Sequence, residues 1–282
     1  MARTPSETSL PTLSRLDGPI DGFECVHGGD GTPLLYLHGM RSAPAQVAEA
    51  LALLTARHRV IFPTIPGFGS AEAVDWVRSV DDVSYRYLEW LDAAELDRVV
   101  LVGSSIGAWL ALEMATKCPA NFPAVILASP LGIRTGPPDV RFYPDLFSMS
   151  PDEVNQMLWA DPEAGALDPN GLSDDDLVAY LRDREALATY GWDPYFHTPS
   201  LVHRLSRISA PTLIVRGAAD SLVTADAVDV LQDGIPGSEV ATVEGAGHFV
   251  EIEQPARFAE LVTEFTAQLT EEDLAPPLGG RG

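Results

Sequence analysis

One serine in the sequence has neighbours that could make its hydroxyl a nucleophile. The run Gly103-Ser104-Ser105-Ile106-Gly107 matches G-x-S-x-G, follows an apolar run and precedes an alanine-rich segment. A sharp turn from strand to helix would lift the Ser105 hydroxyl above a sheet, and the helix N-terminus would favour a developing oxyanion. We therefore predict that Ser105 is the nucleophile. Ser104 is the competing hydroxyl, and a plain helix cap is the alternative role for Ser105.

A serine hydroxyl is a poor nucleophile until a base takes its proton, and the sequence offers six histidines. His248 follows an apolar run, and the preceding Gly245 and Gly247 make a loop flexible enough to bring its imidazole over a sheet edge. A solvated loop histidine would not explain the paired glycines. We predict that His248 is the general base.

The third member of such a site is a carboxylate that fixes the tautomer of the imidazole. Asp220 follows the apolar run Thr212–Val215, at the end of a strand where ligands bind in open α/β sheets. Asp226 and Asp229 are weaker rivals because they fall inside the next helical stretch. We predict that Asp220 is the acid, and a helix cap is its alternative role.

These three residues need a sheet to bring them together, and the sequence predicts one. Short continuous apolar runs alternate with helix-like segments, which predicts a mostly parallel, doubly wound sheet covered on both faces. The predicted strands are 34–37, 60–62, 99–102, 124–127, 212–215 and 240–243, and the predicted helices between and after them include 43–56, 107–118 and 256–269.

The interval 131–207 breaks this alternation. It holds two acidic helical stretches, at 151–158 and 173–188, and an aromatic cluster near 190–196. We interpret it as a helical cap inserted between two strands. The predicted organisation is an α/β core at 19–130 and 208–270, a cap at 131–207, and flexible termini at 1–18 and 271–282.

Composition excludes several classes of function. The chain has 282 residues, 46% of them apolar, and a net charge of −23, so it is globular in character and repels phosphate backbones. Neither close metal-ligand spacing nor a dinucleotide or phosphate loop is present, and Gly28–Gly31 is interpreted as a hairpin turn. We expect no cofactor, no metal and no nucleic-acid partner. We also expect a cytoplasmic protein without a membrane span, with a homodimer as one candidate oligomeric state.

The chain from about Gly22 to Leu269 resembles the α/β-hydrolase superfamily. The resemblance rests on the order Ser105, Asp220, His248, on His38-Gly39 after one strand and on the run 66–70 after the next, and on Ala210–Leu213. It implies eight strands with a cap after the sixth.

The same resemblance implies an oxyanion hole. Its backbone N–H donors would come from Ile106, after the nucleophile, and from Met40, after His-Gly. The loop 38–42 departs from the commoner glycine-rich version. Members of the fold that use aspartate as nucleophile are excluded because position 105 is serine.

The predicted reaction is acyl transfer to Ser105 followed by hydrolysis of the acyl group. A small-molecule carboxylic ester or lactone is the first choice of substrate. The alternatives are a carbon–carbon bond hydrolase of the vinylogous diketone type and a non-hydrolytic ligand-binding or biosynthetic member of the fold. The candidate substrate-binding residues are His38, Trp192, Tyr195, Phe196 and His197, although packing of the cap would explain the aromatic ones equally well.

Overall fold

The computed structural model describes residues 13–15, 24–41, 43–137, 142–165, 171 and 173–274. Its strands are β1 (Ser14–Arg15), β2 (Cys25–Gly28), β3 (Thr32–Leu37), β4 (His58–Pro63), β5 (Val100–Ser104), β6 (Val125–Ala128), β7 (Thr212–Gly217) and β8 (Glu239–Val243). Its helices are α1 (Ala48–Thr55), α2 (Val80–Ala93), α3 (Ile106–Lys117), α4 (Pro151–Leu158), α5 (Pro162–Gly165), α6 (Asp174–Gly191), α7 (Ala225–Gly234), α8 (Val250–Glu253), α9 (Pro255–Thr266) and α10 (Glu271–Leu274).

The strands form one eight-stranded sheet in the order β1-β2-β4-β3-β5-β6-β7-β8. The pairs from β4 through β8 are parallel, while β1 and β2 pair antiparallel at one edge. This confirms the prediction of a mostly parallel, eight-stranded sheet. Because β5, β7 and β8 run in the same direction, the loops at their carboxyl ends meet at one edge of the sheet.

Alternate residues of the central strands enter two separate cores, which is why their runs are apolar throughout. On one face, Leu35 and Leu101 pack with α2, α3 and α7. On the other face, Leu34 and Val102 pack with α1 and α9. The rigid sheet between these two layers carries the loops of the site.

Helices α4, α5 and α6 lie between β6 and β7, so the predicted insertion after the sixth strand is confirmed. Both α4 and α6 begin at a serine, Ser150 and Ser173, whose side chain accepts a hydrogen bond from the backbone of the first turn. The bounds of the predicted core and cap remain a prediction.

Two short elements lie within the predicted termini, since Ser14 and Arg15 pair with β2 and Glu271–Leu274 forms α10. The flexibility of the termini remains a prediction. Gly28–Gly31 is not a hairpin, because β2 pairs with β4 while β3 lies on the other side of β4. The remaining residues of the predicted termini, 1–12, 16–18 and 275–282, lie outside the described residues.

Glycine at position 107 is required by the close approach of two backbones. A Cβ at this position would lie 2.1 Å from the carbonyl oxygen of Leu37 and 2.5 Å from that of His38. We expect Gly107→Ala to lower the free energy of unfolding by about 3 kcal/mol or more, since neither backbone can yield. The midpoint of urea unfolding, at unchanged slope, measures this loss.

The comparison variant for this prediction is Gly237→Ala. Gly237 has a φ of +73° but no atom within 4 Å of the added Cβ, so only the backbone conformation opposes alanine. That substitution should cost roughly 1–2 kcal/mol. A midpoint shift for Gly107→Ala no larger than that for Gly237→Ala would contradict the packing explanation.

Candidate active site

Ser105 occupies the sharp turn between β5 and α3, as the sequence predicts. Its φ of +54° and ψ of −116° are strained for a residue with a side chain. The strain is held in place by a hydrogen bond from the Ser105 N–H to the carbonyl of Ala128, 2.9 Å long, and by the tight packing at Gly107. The turn therefore presents the Ser105 hydroxyl at the carboxyl edge of the sheet.

His248 lies between the other two predicted residues. Its Nε2 is 2.8 Å from the Oγ of Ser105, and its Nδ1 is 3.0 Å from Oδ2 of Asp220. All three residues are almost fully buried. With a proton on Nδ1 donated to the carboxylate, Nε2 is free to accept the serine proton, which is the arrangement that general-base catalysis requires.

The second oxygen of Asp220 is held by the backbone of its own loop. Oδ1 accepts hydrogen bonds from the N–H groups of Leu222 and Val223, both 2.9 Å long. Burial by itself acts to raise the pKa of Asp220, but the neighbouring His248 and these hydrogen bonds outweigh it, so the pKa lies below its ordinary value. Asp220 therefore stays a carboxylate and keeps its oxygens aimed at fixed donors.

The loop after β3 passes directly beside the nucleophile. A Cβ on Gly39 would lie 3.2 Å from the Cβ of Ser105, so glycine permits this approach. Ile106 is the first residue of α3, where the N–H groups have no acceptor within the helix. Ile106 follows Ser105 and Met40 follows Gly39, which is compatible with the predicted oxyanion hole, and this hole remains a prediction.

His38 supports this loop and is not placed to bind a substrate. Its Nδ1 is 2.7 Å from the carbonyl oxygen of Gly39, and its Nε2 accepts a hydrogen bond from the N–H of Ile65 at 2.9 Å. The ring is fully buried, and burial lowers the pKa of His38 to about 4, so it is neutral near pH 7. Both ring nitrogens are occupied by backbone, which corrects its assignment as a candidate substrate-binding residue.

The aromatic cluster of the cap packs within the cap rather than around the cavity lined by Met40, Arg41 and Phe249. The Tyr195 hydroxyl bonds the backbone of Pro144 and Leu146, Phe196 is fully buried, and Nδ1 of His197 is 3.0 Å from the carbonyl of Tyr195. Trp192 is 59% exposed. None of these four residues is among the described residues that line the cavity formed by Met40, Arg41, Phe249 and the cap, and their role in substrate binding remains a prediction.

That cavity lies between the loop after β3 and the cap. It is lined by Met40 and Arg41, by Phe249 next to His248, and by residues of α4 and α6. Ser105 and His248 themselves have no exposed surface.

Arg41 is a residue of this cavity to which the sequence analysis gave no role. Its guanidinium lies 5.5 Å from the centre of the Trp159 ring and 5.7 Å from that of Phe249. Burial lowers the pKa of Arg41, while Tyr180 and Asp183 act to raise it. Arg41 lines the cavity together with a second arginine, Arg184. The sequence signal for Arg41 is that a cationic residue directly follows Met40, the predicted oxyanion donor.

A second carboxylate lies buried behind the nucleophile. The Ser104 hydroxyl donates a hydrogen bond of 2.5 Å to Oε1 of Glu251, and burial raises the pKa of Glu251. Ser104, the competing hydroxyl of the motif, is thus committed to this bond and is not paired with the histidine.

In the described part of the chain, no group of three His, Cys, Asp or Glu side chains could hold a metal ion. No helix described there has the length and apolar character needed to cross a membrane.

A model of the alpha/beta hydrolase family matches residues 25–261 of this chain. Among curated proteins, 2-hydroxymuconate semialdehyde hydrolase of Pseudomonas sp. strain CF600 is 26% identical, over 85% of this chain and 88% of that protein. The 2-hydroxy-6-oxononadienedioate/2-hydroxy-6-oxononatrienedioate hydrolase of Burkholderia vietnamiensis strain G4 is 28% identical, over 94% of this chain and 99% of that protein.

Solved structures give the same fold. The meta-cleavage product hydrolase of Pseudomonas fluorescens IP01 superposes with a TM-score of 0.70 at 21% identity. The match covers 87% of this chain and 94% of that one. At this identity the likeness concerns the arrangement of the sheet, the helices and the cap.

Proposed function

Because the chain belongs to the alpha/beta hydrolase family, we propose that Ser105, His248 and Asp220 form its catalytic triad and hydrolyse a small carbonyl compound through an acyl-serine. Hydrolase function, predicted from the sequence, is confirmed at the level of the family. The observation that carries the proposal is the pair of hydrogen-bond distances at His248, 2.8 Å to Ser105 and 3.0 Å to Asp220. The curated relatives above are named for the alternative predicted from the sequence, carbon–carbon hydrolysis, and not for ester cleavage.

The first half of the proposed reaction forms the acyl-enzyme. His248 takes the Ser105 proton on Nε2 while Oγ attacks the substrate carbonyl carbon, and Asp220 stabilises the imidazolium. The N–H groups of Met40 and Ile106 hold the resulting oxyanion. The carbon–carbon bond next to that centre then breaks. In the keto form of the substrate, in which the leaving carbon is saturated, the electron pair of that bond passes through the neighbouring double bond to the distant keto oxygen, and this oxygen takes the proton back from His248.

The second half releases the acyl group. Water attacks the acyl-serine carbonyl and gives its proton to His248. The new oxyanion collapses, the bond to Ser105 Oγ breaks, and His248 returns the proton to that oxygen. A carboxylic acid leaves, and the enzyme is restored without any other reactant than water.

Arg41 supports a substrate that carries a carboxylate. An arginine can hold a carboxylate through two parallel hydrogen bonds, and in a partly apolar cavity such a bond is stronger than in water. Arg41 is two residues from Gly39, so its Cα lies within about 7.6 Å of the loop that contacts Ser105. The relatives are named for the semialdehyde or the 6-oxo derivative of a dicarboxylic acid. We therefore infer a substrate that joins a keto or aldehyde group to a carboxylate through a conjugated chain.

The test compares two substrates and one probe. Wild-type protein is incubated separately with a 2-hydroxy-6-oxo-2,4-dienoate and with p-nitrophenyl acetate. Turnover of the dienoate is measured by the loss of its long-wavelength absorbance. A fluorophosphonate reports whether Ser105 is reactive. We expect labelling and a higher kcat/KM for the dienoate. Hydrolysis of the ester without the dienoate would support the ester prediction instead. Absence of both labelling and turnover would support a non-hydrolytic member of the fold.

Replacing Arg41, one of the two arginines that line the cavity, tests the substrate class. We expect Arg41→Met to raise KM for the dienoate roughly 10- to 100-fold, since a hydrogen bond to a charged group contributes about 1.5–3 kcal/mol. Methionine retains much of the apolar contact with Trp159, so KM for the methyl ester of the same substrate should change little. Steady-state kinetics with the two substrates measures the difference.

Arg182→Met provides the matched control. Arg182 lies on α6 next to the cavity residue Asp183, but its side chain is exposed and points to Gly69. Its loss should leave KM for both substrates near the wild-type value. Equal effects of Arg41→Met on the acid and on its methyl ester would rule out recognition of the carboxylate by Arg41.

A further inference from the structure

The C-terminal end of α4 and the two residues after it are bonded to two loops of the candidate active site. The carbonyl of Leu158 accepts a hydrogen bond of 2.7 Å from the backbone N–H of His248 itself. The carbonyl of Met157 accepts one of 3.3 Å from Ser221, the residue after Asp220. The cap segment 157–160 therefore bridges the loop of the predicted acid and the loop of the predicted base.

The contact with the histidine loop is close enough to require glycine. A Cβ on Gly247 would lie 2.5 Å from the carbonyl oxygen of Leu158 and 2.9 Å from the N–H nitrogen of Ala160. The second of the paired glycines, which the sequence suggested was needed for flexibility, is thus needed for this contact. The histidine loop is packed against the cap and held there.

One carboxylate joins the two segments. Oε2 of Glu253 accepts a hydrogen bond of 2.6 Å from the N–H of Gly247, and Oε1 accepts one of 2.9 Å from the N–H of Ala160. Hydrogen bonds from N–H groups to a carboxylate are stronger than those between neutral groups. Glu253 lies in the short helix α8, five residues after His248, so it can hold the loop from behind.

The same cap segment forms part of the cavity wall. Leu158 and Trp159 both line the cavity, and the Trp159 ring packs against Phe249 with 4.8 Å between ring centres. Phe249, the residue after His248, thus packs against Trp159. Trp159 in turn follows Leu158, whose carbonyl accepts the hydrogen bond from His248. The position of His248 and the shape of the cavity are fixed by one set of contacts.

We propose that Glu253 is a positioning residue, which sets the position of His248 by tying the histidine loop to the cap segment 157–160. The proposal rests on the proposed function, because it matters only if His248 is the base for Ser105. It also predicts that the segment 157–160, which begins in the last turn of α4, stays fixed with the triad.

The test replaces the carboxylate with an amide of the same shape. In Glu253→Gln only one side-chain oxygen remains to accept, so the bonds to Gly247 and Ala160 cannot both form. We expect kcat for p-nitrophenyl acetate and the rate constant for fluorophosphonate labelling to fall by the same factor, about 10- to 100-fold, since a misplacement near 1 Å costs that much. KM should stay within about threefold because Glu253 is not expected to touch substrate.

Glu264→Gln is the matched control, because Glu264 is an exposed glutamate of α9 whose side chain is 62% accessible. Its rates should equal those of wild type. The fraction of folded protein is measured by circular dichroism and thermal unfolding, and each rate is divided by it. A purely structural role of Glu253 would then lower Tm and leave kcat unchanged. Hydrogen exchange at the Ala160 and Gly247 amides should quicken in Glu253→Gln and stay unchanged in Glu264→Gln.

Glu253→Asp is a second variant, since its shorter side chain keeps the charge but cannot span the same two donors. A change in kcat and labelling rate of less than twofold in either variant would overturn the proposal. Failure of the proposed function gives a different result: wild-type protein would not be labelled, and Ser105→Ala would not alter turnover. The two failures are therefore separated by the wild-type measurements.

Discussion

Ser105→Ala is expected to lower kcat on the order of a millionfold and to abolish fluorophosphonate labelling, by analogy with removal of a serine nucleophile from another triad. The physical reason is that the hydroxyl 2.8 Å from Nε2 of His248 is the only atom expected to attack the carbonyl. Alanine fits the same turn, so the protein should fold. Burst kinetics with p-nitrophenyl acetate, which report formation of an acyl-enzyme, provide the measurement.

Ser104→Ala is the control for this prediction, since it removes the neighbouring hydroxyl of the same motif. That hydroxyl is bonded to the buried Glu251 and not to the histidine, so labelling should persist in the variant. We expect a loss of about 1–3 kcal/mol in the free energy of unfolding, because a buried carboxyl oxygen loses its partner. Labelling that persists in Ser105→Ala and disappears in Ser104→Ala would reverse the assignment of the nucleophile.

The parts of the site that depend on local geometry could be predicted from the sequence. A strand, a turn with glycines at fixed positions and a helix can present a serine in few ways, and Ser105 lies where that pattern requires. Asp220 and His248 follow parallel strands, and the carboxyl ends of such strands share one edge. The central strands were predicted within a few residues because both faces of the sheet are covered and their runs are therefore apolar throughout.

The helix α2 shows a local signal that the sequence analysis did not use. Ser79 and Asp82 form a reciprocal capping box at its start, and Val83, Tyr87 and Trp90 are buried along one side. Both features can be read from the printed sequence. Their omission left the stretch between β4 and β5 without a helix, although two strands that run in parallel need a crossover.

The roles of the cap residues could not be obtained in this way. Tyr195 and Phe196 are aromatic and stand near other aromatic residues, and this pattern fits both a binding wall and a packed cluster. Only the fold settles which face of the segment meets the cavity. Arg41 and Glu253 contact residues that lie far away in the sequence, and no local pattern encodes such contacts. Arg41 lies against Trp159 of the cap, and Glu253 accepts a hydrogen bond from Ala160.

Asp220→Asn is expected to lower kcat about 10⁴-fold while the protein remains folded. The two backbone donors at Oδ1, Leu222 and Val223, fix the orientation of the new amide, because its oxygen must face them. The amide nitrogen then points at Nδ1 of His248 and donates to it. His248 is forced to carry its proton on Nε2, the atom that must accept the serine proton, so the general base is lost although no side chain has moved.

Asp226→Asn and Asp229→Asn are the controls, since these aspartates lie in α7 after Asp220 and were the rival acids. Neither hydrogen-bonds His248 among the residues that the structure describes, so kcat should remain near that of wild type. The pH dependence separates the two causes of a low rate. A wrong tautomer can be bypassed by hydroxide acting as the base, so activity of Asp220→Asn should rise steeply above neutral pH. A variant inactive through misfolding would show no such rise. Normal activity in Asp220→Asn together with a large loss in Asp226→Asn would assign the acid to the helix instead of the loop.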